Sequence, residues 1–160
     1  MRSSDRTLND GAFTQLYLAE RLPMVRLAAL LLGSSVHAEE VVQDAFFQVS
    51  ENWDGIDNHG GYLRTTVVNG CRAMLRRRTV ENQYLESSKP LNDTQDHLPD
   101  HLVELEQALW KLNERDRTVV VLRHLLGLSD SEIANTLELT PSGVRTIRSK
   151  AFRTLRKELR

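Results

Sequence analysis

The sequence predicts an all-α protein of two small helical domains joined by a flexible linker, the C-terminal one a helix-turn-helix. Three observations predict this. Apolar residues recur at helical spacing on both sides of a polar, acidic stretch. Hairpin turns flanked by alternating hydrophobics are absent. Helix start and stop signals crowd the last third of the 160 residues.

The first helix starts near Asn9 or Asp10, either a good N-cap, and carries Phe13, Leu16, Tyr17, Met24, Leu27, Ala28 and Leu31. Pro23 lies inside this pattern and predicts a kink or a brief break. Gly33 suits a helix end, and Ser34 or Ser35 caps the next helix. That helix places Ala38, Val42, Ala45, Val49 and Trp53 on one face and Glu40, Gln43, Asp44 and Phe47 on the other. "DGIDNHGG", 54–61, reads as a loop, with His59 solvent-exposed in it. A third helix runs from about Tyr62 to Arg78, with Leu63, Val67 and Met74 inward.

Residues 79–100 lose the period, are polar and acidic, and contain Pro90 and Pro99. The predicted boundaries are therefore 8–80 for the first domain, 81–100 for the linker and 101–160 for the second. In the second, Leu102, Leu105, Leu109 and Leu112 mark one helix, and Asn113 caps another that stops at Gly127. Ser129-x-x-Glu132 is a capping box, in which each side chain satisfies the other residue's free N–H. Thr140 caps the last helix, with Pro141 at its first position, where a missing N–H costs nothing. Val144, Ile147, Ala151, Leu155 and Leu159 form the inner stripe of that helix.

A net charge of −1 hides a segregation of sign. Residues 1–60 hold 4 basic and 9 acidic side chains, and 61–80 hold 5 and 0. Residues 81–116 hold 3 and 9, and 117–160 hold 9 and 4. Two basic blocks are thus available to two phosphate-bearing surfaces. No apolar run is long enough to span a bilayer, and the N-terminus lacks the apolar core of a signal peptide. The single Cys71 excludes an internal disulfide framework. The expectation is a cytoplasmic protein without membrane insertion. Cofactors are not expected. His97-x-x-x-His101 has helical metal spacing but no second pair of ligands nearby. No Gly-rich phosphate loop or nucleophile–base pair stands out, so the chain is not expected to be an enzyme.

Two short helices joined by the "LELT" turn form the helix-turn-helix. The second has a polar face of Ser142, Arg145, Thr146, Ser149, Arg153 and Arg156. Side chains near the start of such a helix reach base edges in the major groove, and later ones meet phosphates. Arg145 and Thr146 stand where base readout is expected.

These residues also carry a resemblance. "LVELEQALWKLNERDRTVVVLRHLLGLSDSEIANTL" (102–137) resembles the fourth conserved region of sigma factors, the promoter-recognition subunits of bacterial RNA polymerase. "HAEEVVQDAFFQVSENW" (37–53) resembles the core-binding helix of their second region. "GYLRTTVVNGCRAMLRRR" (61–78) resembles the helix that follows it. The order and the intervening linker are similar to those of the short extracytoplasmic-function group. Departures are Tyr62 where the family carries Trp, Ala73 where Asp is common, and a final helix closer to that of housekeeping sigma factors.

The resemblance implies a sigma factor that binds polymerase core through its β′ and β subunits and directs promoter recognition and melting. It implies promoter DNA as a second partner and allows for an anti-sigma factor. Core binding maps to Glu40, Gln43, Asp44 and Phe47, an acidic face with one aromatic that suits an Arg-bearing partner. Capture of the melted −10 strand maps to Tyr62, Arg64, Asn69, Arg72, Arg76 and Arg77. There Asn69 can bond a base edge and the arginines can track the backbone. Tyr62 reads equally as a stacking platform or as core. The −35 element falls to Ser142, Arg145, Thr146, Ser149, Arg153 and Arg156. The alternative is a stand-alone helix-turn-helix transcriptional regulator, which leaves the basic 61–78 block and the acidic 37–53 helix without a task.

Overall fold

The computed structural model describes residues 2–81 and 100–159, with side chains for 9–78 and 103–159. The helices are α1 (Arg2–Leu32), α2 (Ser35–Glu51), α3 (His59–Glu81), α4 (Asp100–Leu109), α5 (Glu114–Leu125), α6 (Asp130–Leu137) and α7 (Pro141–Glu158). A 3₁₀ turn, Trp53–Gly55, lies between α2 and α3. No strand occurs among the described residues. Most of the proposed linker lies outside them, as does His97.

Helices α1, α2 and α3 pack on one another. Of the kink or brief break expected at Pro23, the break does not occur: α1 continues through the proline. A proline inside a helix costs about 3 kcal/mol. Here Met24, Leu27, Ala28, Leu31 and Leu32 follow it into the core. Large side chains of this kind contribute about 1.5–3 kcal/mol each on burial, so packing wins. Gly33 ends the helix at φ 68°, and Ser34 caps α2 by accepting from the His37 N–H at 3.2 Å.

The apolar arc of α2 is wider than one stripe. Val41 and Phe46 are buried beside the expected Ala38, Val42, Ala45 and Val49. Phe46 packs edge-on against Phe13 and Tyr17, with centroids 6.1 and 5.0 Å away. At Gly70, α3 lies close against α2: a Cβ there would stand 2.9 Å from Val41 Cγ1.

In the C-terminal half, α5, α6 and α7 pack together, and α4 lies on α7. Asn113 caps α5 by accepting from the Asp116 N–H at 2.8 Å. Both bonds of the Ser129–Glu132 capping box are present. Glu138 takes a left-handed φ of 56° in the turn, and Thr140 caps α7. Of the expected inner stripe of α7, Val144, Ile147, Ala151 and Leu155 are buried, while Leu159 is exposed. Leu112 is buried just beyond α4, and Leu105 on that helix is exposed. Arg117 is buried, its guanidinium 3.7 Å from the Trp110 ring centroid, where burial pulls its pKa down to about 10.

The two halves touch. α5 packs on α1, and α6 on α3.

Candidate polymerase and promoter interfaces

The outer face of α2 is fully presented. Glu40, Gln43, Asp44 and Phe47 are all exposed, and Phe47 keeps 64% of its surface accessible. These four lie opposite buried Ala38, Val42, Ala45 and Val49, so the helical period puts acid and aromatic outward together. The adjacent phenylalanines divide the work: Phe46 fills the core and Phe47 faces solvent.

The α3 residues differ in their surroundings. Asn69, Arg76 and Arg77 are exposed, and Tyr62 is 37% exposed at the start of the helix. Arg64 is half-buried, and its Nε has no protein hydrogen-bond partner. Arg72 donates from Nε to Glu114 Oε1 of α5 at 2.6 Å, with the two side chains 22% and 30% exposed. His59, expected in solvent, is half-buried. It stacks on Trp53 with centroids 3.7 Å apart, and its Nε2 lies 2.9 Å from the Trp53 carbonyl oxygen. The loop before α3 is correspondingly shorter than the predicted 54–61.

On α7, Ser142, Arg145, Thr146, Ser149, Arg153 and Arg156 are exposed along one side, as the period requires. Asp130, at the start of α6, accepts from Arg148 Nη2 at 3.1 Å and stands 3.9 Å from Arg145 Nε. It therefore ties the first helix of the motif to the second. Sequence reasoning missed Asp130, Arg148 and Glu114, and it read Glu132 only as the capping-box acid.

Glu132 closes the capping box and faces the N-terminal half. The Ser129 N–H and hydroxyl hold its carboxyl below the usual carboxylate range, and the Arg64 guanidinium adds to this. A cleft lined by Tyr62, Arg64, Thr65, Glu132, Asn135 and Thr136 lies there. A separate apolar groove of about 570 Å³ is lined by Leu30, Leu105, Leu109, Leu125, Phe152 and Leu159. No cluster of metal-ligating side chains occurs among the described residues. None of the described helices is long and apolar enough to cross a membrane.

The pattern for Sigma-70 region 2 matches residues 16–80, and that for Sigma-70 region 4 matches 108–157. The RNA polymerase sigma-E factor of Streptomyces avermitilis is 30% identical over 142 residues, spanning 85% of this chain and 78% of that one. The chain belongs to the sigma-70 family, in its extracytoplasmic-function group. The ferric citrate uptake sigma factor FecI of Escherichia coli is also 30% identical, over 129 residues and 75% of each chain.

Among solved structures, the sigma factor RpoE of Bartonella quintana, in complex with the anti-sigma factor NepR, superposes with a TM-score of 0.79 at 21% identity. That match covers 92% of this chain and 96% of RpoE. CnrH, in complex with the cytosolic domain of CnrY, gives 0.73 at 23%, covering 94% and 88%. Both share the fold. The chain is an alternative sigma factor that directs RNA polymerase to promoters in transcription initiation. Sigma factors are in general non-catalytic.

Proposed function

We propose that this sigma factor divides its task among three helices and performs no catalysis of its own. The outward face of α2, Glu40, Gln43, Asp44 and Phe47, docks on polymerase core. Tyr62, Arg64, Asn69, Arg72, Arg76 and Arg77 of α3 hold the melted −10 strand. Ser142, Arg145, Thr146, Ser149, Arg153 and Arg156 of α7 meet the −35 duplex. The working units are 8–80 and 101–160, and the site of action is the cytoplasm.

The observation that carries this reading is the outward set on α2. An exposed Phe ringed by acid and amide, on a helix whose opposite side is buried, fits a cationic partner with an apolar pocket. The exposed polar side of α7 supports duplex contact in the same way, because a helix of this motif presents its outer side to the major groove. Free energy for melting comes from stacking and phosphate contacts made to the extruded strand.

The apolar groove beside α4 and α7 supports a second partner. Its occupant would be an amphipathic helix of an anti-sigma factor, laid across Leu105, Leu125 and Leu159.

The experiment is transcription by purified core polymerase plus this chain on a promoter library, with the transcripts sequenced. Transcription from a shared pair of −10 and −35 elements that requires both core and chain is the expected result. DNA binding of equal selectivity by the chain alone would instead favour a stand-alone regulator.

A further inference from the structure

We propose that Asp130 is a positioning residue for −35 readout, whose carboxylate restrains Arg145 so that it reads a base and does not swing to a neighbouring phosphate. This rests on the reading of α7 as the −35 helix, with Arg145 at a base edge. Asp130 opens α6, and α6 packs on α7. Its Oδ2 accepts from Arg148 Nη2 at 3.1 Å and stands 3.9 Å from Arg145 Nε. The carboxylate is itself held in place. Its side chain is 20% exposed, and Oδ1 is buried without a protein hydrogen-bond partner. Arg148, at 26% exposure, is the anchor, and Arg145, at 66%, is the arm left in solvent. The two arginines are three residues apart on α7 and so share a face, which lets one oxygen serve both.

An exposed arginine on a recognition helix has two kinds of partner. A guanine edge takes it bidentately, and a backbone phosphate takes it as a charge whatever the sequence. Discrimination is the difference between these affinities, so anything that penalises the phosphate alternative sharpens readout. Asp130 supplies that penalty. At 3.9 Å the Arg145 Nε is within ion-pair reach of the acid but too far for a hydrogen bond. The guanidinium is thus drawn to one side without being consumed. Moving out to a phosphate gives up this attraction, and reading a base from the restrained position keeps it. The later cations on the same face differ. Among the described residues, no carboxylate lies within ion-pair distance of Arg153 or Arg156, the two assigned to phosphates.

The test is transcription by core polymerase plus the full-length chain on promoters randomised at −35, with the transcripts sequenced. The variants are Asp130→Asn, Arg145→Ala and the two combined. Asn keeps the size of the side chain and removes its charge, and Asp130→Ser is a second neutral variant. Preference is read as a ratio among promoters within one preparation, so a partial loss of folded protein does not alter it.

With Asp130→Asn, promoters lacking the preferred base at the Arg145 position should gain about two- to fivefold on those that carry it, the size of one partly exposed charge pair. On the gaining promoters the salt slope should steepen by up to about one unit, as Arg145 takes a phosphate. Neither change should appear in the Arg145→Ala background, because the effect acts through that side chain. A merely structural role lowers transcription from all −35 sequences alike, and that result overturns the proposal. So does a shift in preference that persists in the Arg145→Ala background, which would assign it to Arg148. Arg145→Ala that keeps the wild-type preference at every position overturns it through its premise, because Arg145 would then not read a base.

Discussion

Replacing Phe47 by Ala should weaken binding to polymerase core about thirtyfold and leave the fold untouched. An aromatic side chain has on the order of 200 Å² to bury. Phe47 keeps 64% of its surface accessible, so a partner can cover roughly 130 Å² more. At about 25 cal/mol per Å² this amounts to ~3 kcal/mol. Alanine retains part of that contact, which leaves a loss of about 2 kcal/mol, and each 1.4 kcal/mol is about tenfold. The neighbouring residue provides the contrast. Phe46 is 4% exposed and packs against Phe13 and Tyr17, so Phe46→Ala should cost about 3–5 kcal/mol of stability. The assay is competition with a labelled chain for core, beside thermal melts followed by circular dichroism. Phe47→Ala that competes within twofold of wild type, or that melts early, would refute the argument that its exposed surface is reserved for a partner.

Arg145→Ala should relax sequence preference at one position of the −35 element, since a bidentate Arg–guanine pair discriminates by about 1–3 kcal/mol. Arg153→Ala should instead weaken all sequences alike and lower the salt slope by about one unit; transcription from a library randomised at −35 checks both. Ser129→Ala should lower the melting temperature by about 2–4 °C at pH 7 through loss of the α6 cap. Glu132 has a depressed carboxyl pKa, so its contribution is present above the ordinary carboxylate range and is lost as pH falls through the folded value. The gap between the two proteins should therefore narrow below about pH 4, which melts at several pH values will show. Gly70→Ala should destabilise by about 1–3 kcal/mol, because the stiff Val41 side chain stands 2.9 Å from the new methyl; urea unfolding measures it.

Local chemistry was the part most legible in the sequence. Asn113, Ser129 with Glu132, and Thr140 with Pro141 announce helix starts by satisfying free N–H groups, and each does so in the structure. The outward set on α2 follows from the 3.6-residue period alone. What escaped depends on partners far away in sequence. Val41 and Phe46 are buried because α2 packs against two helices, α1 and α3, which widens its apolar arc beyond a single stripe. Pro23 stays helical because of what packs after it, which a local rule cannot weigh. His59 is held by Trp53 through a turn that its glycine-rich surroundings disguised as an open loop. The Arg72–Glu114 pair left no local trace, because neither the spacing of arginines on α3 nor the cap of α5 refers to the other element. For that reason the sequence suggested which arginines are basic enough for DNA, while only the structure tells which are already paired.

The most direct test is permanganate footprinting on a promoter found by transcript sequencing, with purified core polymerase and this chain present separately and together. Permanganate oxidises unpaired thymines, so it reads melting itself. The account predicts reactive thymines around the −10 element only when core and chain are both present, and weakened reactivity with Asn69→Ala or Arg76→Ala although core binding is kept. Thymines that react equally with core alone, or a footprint that Asn69 and Arg76 do not influence, would contradict the claim that α3 captures the melted strand.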